Sequence, residues 1–174
     1  MFWEQLLDWF SSVRDLALPF FVVREYEGAI VLVLGHYSRT VGPGLHWKGP
    51  FVAEVLSENI NWDTMDSDYQ SLTTLDGHNV VVSSIVKYRV VDVKTFVVDV
   101  EDARSALGDI VAREIARVVL STDWDGLRTQ EIDNQISIVV RREAKKWGIE
   151  IDTVTLTNRA KIRTIRLMQE GVLT

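Results

Sequence analysis

Asp76, His78, Ser83 and Ser84 place the residue types of a Ser-His-Asp triad within one short stretch of the chain. In a triad the histidine takes the serine proton while the acid orients the imidazole, so the set is recognised by geometry, and a serine-rich chain offers many such combinations. The surrounding pattern instead makes His78 a residue flanking a turn. The other histidines, His36 and His46, are separated from it and from each other by turns and strands. No second ligand stands at zinc spacing, there is no HExxH, and a chain without cysteine has no CxxC and no thiolate nucleophile. The glycines punctuate turns rather than forming GxGxxG or GxxxxGK[ST], so no phosphate-cradling loop is expected. Arg159, Lys161, Arg163 and Arg166 make one basic run, but the formal net charge is −6, and a run of this kind on an acidic chain reads as a solvated face. The residues therefore predict no catalytic group, cofactor, metal or nucleic-acid partner.

The elements tell more. Tyr69–Val91 reads as two β-rich runs about Asp76-Gly77, the dipeptide of a type I′ hairpin. A two-residue loop would set Leu75 against His78, Thr73 against Val80 and Ser71 against Val82. The return run carries Val80, Val82, Val86, Tyr88 and Val90 on one face, with Val81 and Ile85 on the other, which predicts a central strand. Before it, Phe20–Leu34 reads as two short strands broken at Glu27-Gly28, with Ala29–Leu34 buried on both faces. Gly42-Pro43-Gly44 predicts a type II turn, and Val52–Trp62 a weaker strand.

After Asp92 the apolar period lengthens from 2 towards 3.6. Asp92 is placed to cap a short helix through Val97, and Asp99 the next. A helix over about 101–120 is expected to bury Leu107, Val111, Ile115 and Val118. One opening near Thr129 is expected to bury Ile132, Ile136, Val139, Val140, Ala144 and Trp147, with Gly148 as its C′ residue. The strand from Ile149 to Thr157 slips by one residue at Asp152-Thr153, predicting a bulge or kink. A last helix over about 159–171 would present Ile162, Ile165 and Met168 as an oligomer contact.

At the N-terminus, Phe2–Ala17 is amphipathic at helical spacing: Phe2, Trp3, Leu6, Leu7, Trp9, Phe10, Val13 and Leu16 share one half of the circumference. The run is too short and too charged to span a bilayer, and its acidic start lacks the features of a cleavable signal. It suits a helix lying in the membrane interface, with Phe20 and Phe21 continuing the contact. The same arc also suits docking on protein. A β-rich first half packed against an α/β second half makes the fold class α+β.

Three stretches in order carry a resemblance: VVREYEGAIVLVLGHYSRTVGPGLHWKGPF at 22–51, LTTLDGHNVVVSSIVKYRVVD at 72–92, and AKKWGIEIDTVTLTN at 144–158. Together they resemble the SPFH, or Band 7, domain of stomatins, prohibitins and flotillins. The resemblance implies a membrane-contacting segment over 1–21, an SPFH-like domain over 22–158 whose β-rich part ends near 91, and a short C-terminal helix over 159–174. It implies a short member lacking the long C-terminal coiled coil of such chains. It further implies a non-enzymatic, peripheral or monotopic membrane scaffold that binds membrane lipid and forms homo-oligomers. Its client would be an integral membrane protein such as a membrane protease or channel. Two alternatives stay open: a soluble oligomeric adaptor whose N-terminal helix packs on protein, and a short member that co-assembles with longer relatives.

Overall fold

The computed structural model describes residues 19–49 and 51–162. The helix expected over 2–17 and the contacts expected of Phe2, Trp3, Leu6, Leu7, Trp9, Phe10, Val13, Leu16, Ile165 and Met168 fall outside them. The described chain forms two compact units with interleaved segments. One takes the residues up to Asp63 with Tyr88–Ala103 and Ala144–Glu150; the other takes Thr64–Lys87, Arg104–Glu143 and the chain from Ile151.

In the first unit, β1 (Phe20–Val23) pairs antiparallel with β4 (Gly44–Trp47), and β2 (Glu27–Val33) lies between β3 (His36–Val41) and β5 (Ala53–Asn59). Val23, Ala29, Val31 and Val41 form its core, with Phe21, Ala53 and Val55 packed against them. The break between β1 and β2 falls at Arg24–Tyr26 rather than at Glu27-Gly28. Gly28 is a strand glycine needed for close approach: a Cβ there would lie 2.8 Å from Val93 Cγ2 and 3.2 Å from Ile60 Cγ2. Burial on both faces holds for Ala29–Val31 but is lost by Val33 and Leu34, where β2 runs out to a loop tip. That tip is a two-residue hairpin: Val33 pairs with His36, and Leu34 and Gly35 both have positive φ (51° and 79°), as type I′ requires. At Gly42-Pro43-Gly44 the expected positive φ occurs at Gly44, and the Gly42 carbonyl accepts from His46 Nε2–H at 2.7 Å.

Asp92 does cap the following turn, accepting from the Thr95 N–H (3.1 Å) and hydroxyl (2.9 Å), and the chain then makes a π-helical turn over Thr95–Asp99. Asp99 caps nothing, because Lys94 Nζ holds its carboxylate at 2.7 Å and 2.9 Å. Gly148 ends a 3₁₀ turn (Lys145–Trp147) in the left-handed region, and its carbonyl accepts from Val91 N–H and Asp92 N–H.

A third sheet is built on β8 (Asn79–Val90), which pairs with β6 (Asp63–Asp66), β7 (Gln70–Thr73) and β9 (Ile149–Lys161). The Asp76-Gly77 hairpin differs from the expected one by one residue: Thr73 pairs with Asn79, Leu72 with Val80 and Gln70 with Val82. The loop is Leu75-Asp76-Gly77, closed by Gly77 N–H to Thr74 O and Thr74 N–H to His78 O, with Gly77 at φ +81°. This is a type I turn with a glycine bulge. Burial explains the choice, since opposed residues share a face and this register puts Leu72, not Thr73, beside the core valines.

Helix α1 (Ala103–Ser121) buries Leu107, Val111, Ile115 and Val118 as its spacing required. The four-residue helix α2 (Trp124–Leu127) follows, capped by Asp123, and α3 (Gln130–Ala144) buries Ile132, Ile136, Val140 and Ala144. In β9 the buried parity changes between Ile151 and Val154, the slip expected at Asp152-Thr153. Side chains of α3 satisfy the backbone there. Arg141 donates to Ile151 O (3.0 Å) and Asp152 O (2.6 Å), Ser137 Oγ serves both Val154 N–H and Val154 O, and Asp133 accepts from Leu156 N–H. β9 continues through Lys161, so residues 159–161 are strand where a helix was expected. Ile162 N–H donates to Asn79 O, and Arg159 is pinned to Asp133 at 2.6 Å.

Candidate functional site

The triad residue types do not assemble. Ser84 donates its hydroxyl (2.9 Å) and its N–H (2.7 Å) to Ser67 Oγ. Ser83 Oγ accepts from Asn158 Nδ2–H at 2.7 Å and lies 3.2 Å from the Thr157 hydroxyl. Asp76 does lie 3.5 Å from His78, but it also accepts from the Thr74 hydroxyl and from Trp124 N–H. The Thr74 hydrogen bond, first, and the Trp124 N–H hold its carboxyl below the ordinary carboxylate value. Asp76 thus organises a turn. Among the described residues, no group of His, Asp and Glu is arranged to hold a metal ion.

A different kind of site emerges in the first unit. The register of the β1–β4 ribbon opposes Phe20 to Trp47 and Val22 to Leu45. Alternation puts these four on one face and Phe21, Val23 and His46 on the other. The second set turns inward: Val23 is core, Phe21 packs on it, and the His46 ring lies 5.6 Å from that of Phe21. The first set is left to solvent, with exposures of 54% (Phe20), 69% (Val22), 68% (Leu45) and 56% (Trp47). Single exposed apolar residues are ordinary, but four adjacent ones forming a face mark an interaction surface.

Two loop tips extend this apolar surface. Leu34 and Phe51, each 74% exposed, line with Val52, Lys48 and Glu54 a shallow cavity of about 290 Å³. Both have positive φ, 51° and 66°, a conformation that costs an L-residue with a Cβ roughly 1–2 kcal/mol. At Leu34 the type I′ turn demands it, whereas at Phe51 strain at an exposed apolar residue is a pointer to function. Lys48 joins the tips to the ribbon, since it lines the cavity while its N–H donates to Pro19 O at 2.6 Å. The Arg39 guanidinium donates to the Trp47 carbonyl.

Phe20 and Phe21, grouped in the sequence as one contact, are separated by the strand, and only Phe20 faces out. Ile162 is partly exposed at the end of β9. Val22, Leu34, Leu45, Trp47 and Phe51 were missed. FFVV is apolar at every position, so its pattern cannot tell an inward face from an outward one; the alternation in Leu45-His46-Trp47 was the available signal.

In chain order the described residues give the ribbon, a long central strand and a helix-to-strand step at Gly148, a mixed α+β domain. The chain belongs to the SPFH domain / Band 7 family, whose model matches residues 21–164. It is 25% identical over 156 residues to an uncharacterized protein of Methanocaldococcus jannaschii, covering 88% of this chain and 78% of that one. It is 26% identical to a stomatin homolog of Pyrococcus horikoshii, covering 81% of this chain and 54% of the relative. Against the protein HflK of Vibrio cholerae it is 31% identical, covering 63% of this chain and 28% of the relative. The chain thus spans about half the length of the stomatin homolog and less of HflK.

Proposed function

We propose that this chain is a non-enzymatic, membrane-associated scaffold that self-associates on the bilayer and organises or regulates membrane proteins or lipid patches. Family membership supports the class of function. The observation that carries the reading is the outward apolar face of Phe20, Val22, Leu45 and Trp47, placed where the apolar N-terminal segment enters the domain at Pro19. No helix among the described residues is long and apolar enough to cross a membrane. On this reading the contact belongs to this face and to the preceding segment, whose amphipathic spacing suits an interfacial helix. Aromatic residues at such a face suit the headgroup region, where one ring edge stays wet.

The test is flotation of the purified full chain with vesicles, followed by light scattering of the bound fraction. Wild type is expected to float and to gain mass on lipid. The double substitution Val22→Asp with Leu45→Asp, at positions already in solvent, should keep its circular dichroism and lose about tenfold in binding. A wild-type chain that stays in the soluble fraction with every vesicle composition sinks the reading. Floating without any gain in mass removes the self-association from it.

A further inference from the structure

The outward face belongs to a stretch with an unusual charge. From residue 28 to residue 53 there is no aspartate or glutamate, whereas Arg39 and Lys48 lie within it, on a chain of net charge −6. The two cations are also used differently from seven others. Arg24, Lys87, Arg89, Lys94, Arg117, Arg142 and Arg159 each meet a carboxylate. Among the described residues neither Arg39 nor Lys48 forms an ion pair, although Glu54 lines the same cavity as Lys48. Both are placed by the backbone at one end of the ribbon: Arg39 on the Trp47 carbonyl, and Lys48 beside Trp47 with its N–H on Pro19.

We propose that this surface prefers anionic phospholipid, with Arg39 and Lys48 meeting headgroup phosphates beside the apolar ribbon and the Leu34 and Phe51 tips. The inference rests on the membrane reading and adds the lipid class to it. An anionic surface repels an acidic chain, the preceding segment with Glu4, Asp8 and Asp15 against Arg14 included, and attracts this acid-free stretch, so charge favours approach by the end of the ribbon that carries Arg39 and Lys48. Each cation near such a surface favours binding by about fivefold, and the effect is screened within a Debye length.

The experiment measures binding of the full chain to phosphatidylcholine vesicles, and to vesicles of phosphatidylcholine mixed with phosphatidylglycerol, at low and high salt. The mixed vesicles are expected to bind about tenfold or more tightly at low salt, with the advantage gone at high salt. Lys48→Gln should remove part of it and Arg39→Gln with Lys48→Gln most of it, each read as the ratio of binding to the two vesicles so that a change common to both cancels. Lys48→Gln alone guards against a loosened β4, because only Arg39 uses its side chain to hold the strand. Lys145→Gln with Lys146→Gln, the same loss of charge elsewhere, should change the preference little. Equal wild-type binding to both vesicles overturns the inference and leaves the scaffold reading standing, as does an anionic preference that survives the double substitution. Binding to neither vesicle overturns both.

Discussion

Val22 and Val82 are both strand valines, yet Val22 is 69% exposed on the β1–β4 ribbon and Val82 is fully buried in the sheet built on β8. The contrast runs through their surroundings. On the sheet, most apolar residues of β8 and β9 are covered, with Ile85 the exposed exception on β8, and the backbone of β9 around its kink is bonded to Ser137, Asp133 and Arg141 of α3. On the ribbon, one face closes the small core and the other is left apolar and bare, with nearby cations that meet no carboxylate among the described residues. Local sequence does not separate the two regions, because both are valine-rich strand. The difference lies in cover, which the described residues supply to the sheet and not to the outward face of the ribbon.

Four measurements would break or sharpen that contrast. The largest effect is expected at Gly148, whose φ is +73° and where a Cβ would lie 2.4 Å from the Asp92 carbonyl oxygen. Gly148→Ala combines left-handed strain with a backbone clash and should cost about 3 kcal/mol or more in denaturant unfolding. Asp133→Ala should follow closely. It leaves Arg159, whose side chain is largely buried and whose Nε has no hydrogen-bond partner among the described residues, without its carboxylate, and removes the acceptor for Leu156 N–H. A loss of about 3 kcal/mol is expected from breaking one side of such a pair.

The third test sets the two valines against each other. Val82→Ala should lower stability by about 2 kcal/mol, from lost burial and the space left behind. Val22→Ala should stay within about 0.5 kcal/mol, as surface substitutions do. Equal losses would mean that the ribbon face is covered in the folded chain itself. The smallest effect is electrostatic. Backbone N–H donation from Thr95, the largest cause, lowers the Asp92 pKa in the folded state. Its charged form therefore adds stability above the unfolded carboxylate value, and that contribution disappears as pH falls through the lower folded value. Asp92→Asn, which can still accept from Thr95, should lose less than about 1 kcal/mol near neutrality and converge with wild type in acid.

Much of the packed region was legible because its signals are local and repeated. The stripe Leu107, Val111, Ile115 and Val118, the Asp92 cap, the Gly148 stop and the slip at Asp152-Thr153 each follow from period or from one residue's preference. The misses have physical reasons as well. Asp76-Gly77 looked like a type I′ turn, but the core's demand for Leu72 and the Thr74 hydroxyl fixed a three-residue loop. The actual two-residue turn is Leu34-Gly35, whose leucine is a poor choice at positive φ and so gave no signal. β9 outlasted its expected end because the pairing of Arg159 with Asp133, 26 positions away, is a tertiary event. Of the candidate site, Phe20 was named and its partners were not, since the pairing of β1 with β4 depends on a register that apolar composition does not encode.

The α3 side chains bonded to β9 also limit how copies of this chain can join. A strand that, among the described residues, pairs only with β8 would otherwise be a template on which a second molecule could lay its own strand, and then a third, without limit. Here Ser137 and Asp133 already occupy the N–H groups of Val154 and Leu156 that such a strand would need, and Arg141 and Ser137 occupy carbonyls beside them. Over residues 151–156 a second strand would find those backbone groups already bonded. Among the described residues the edges of β3 and β5 carry no such side-chain cover, so the protection is particular to β9.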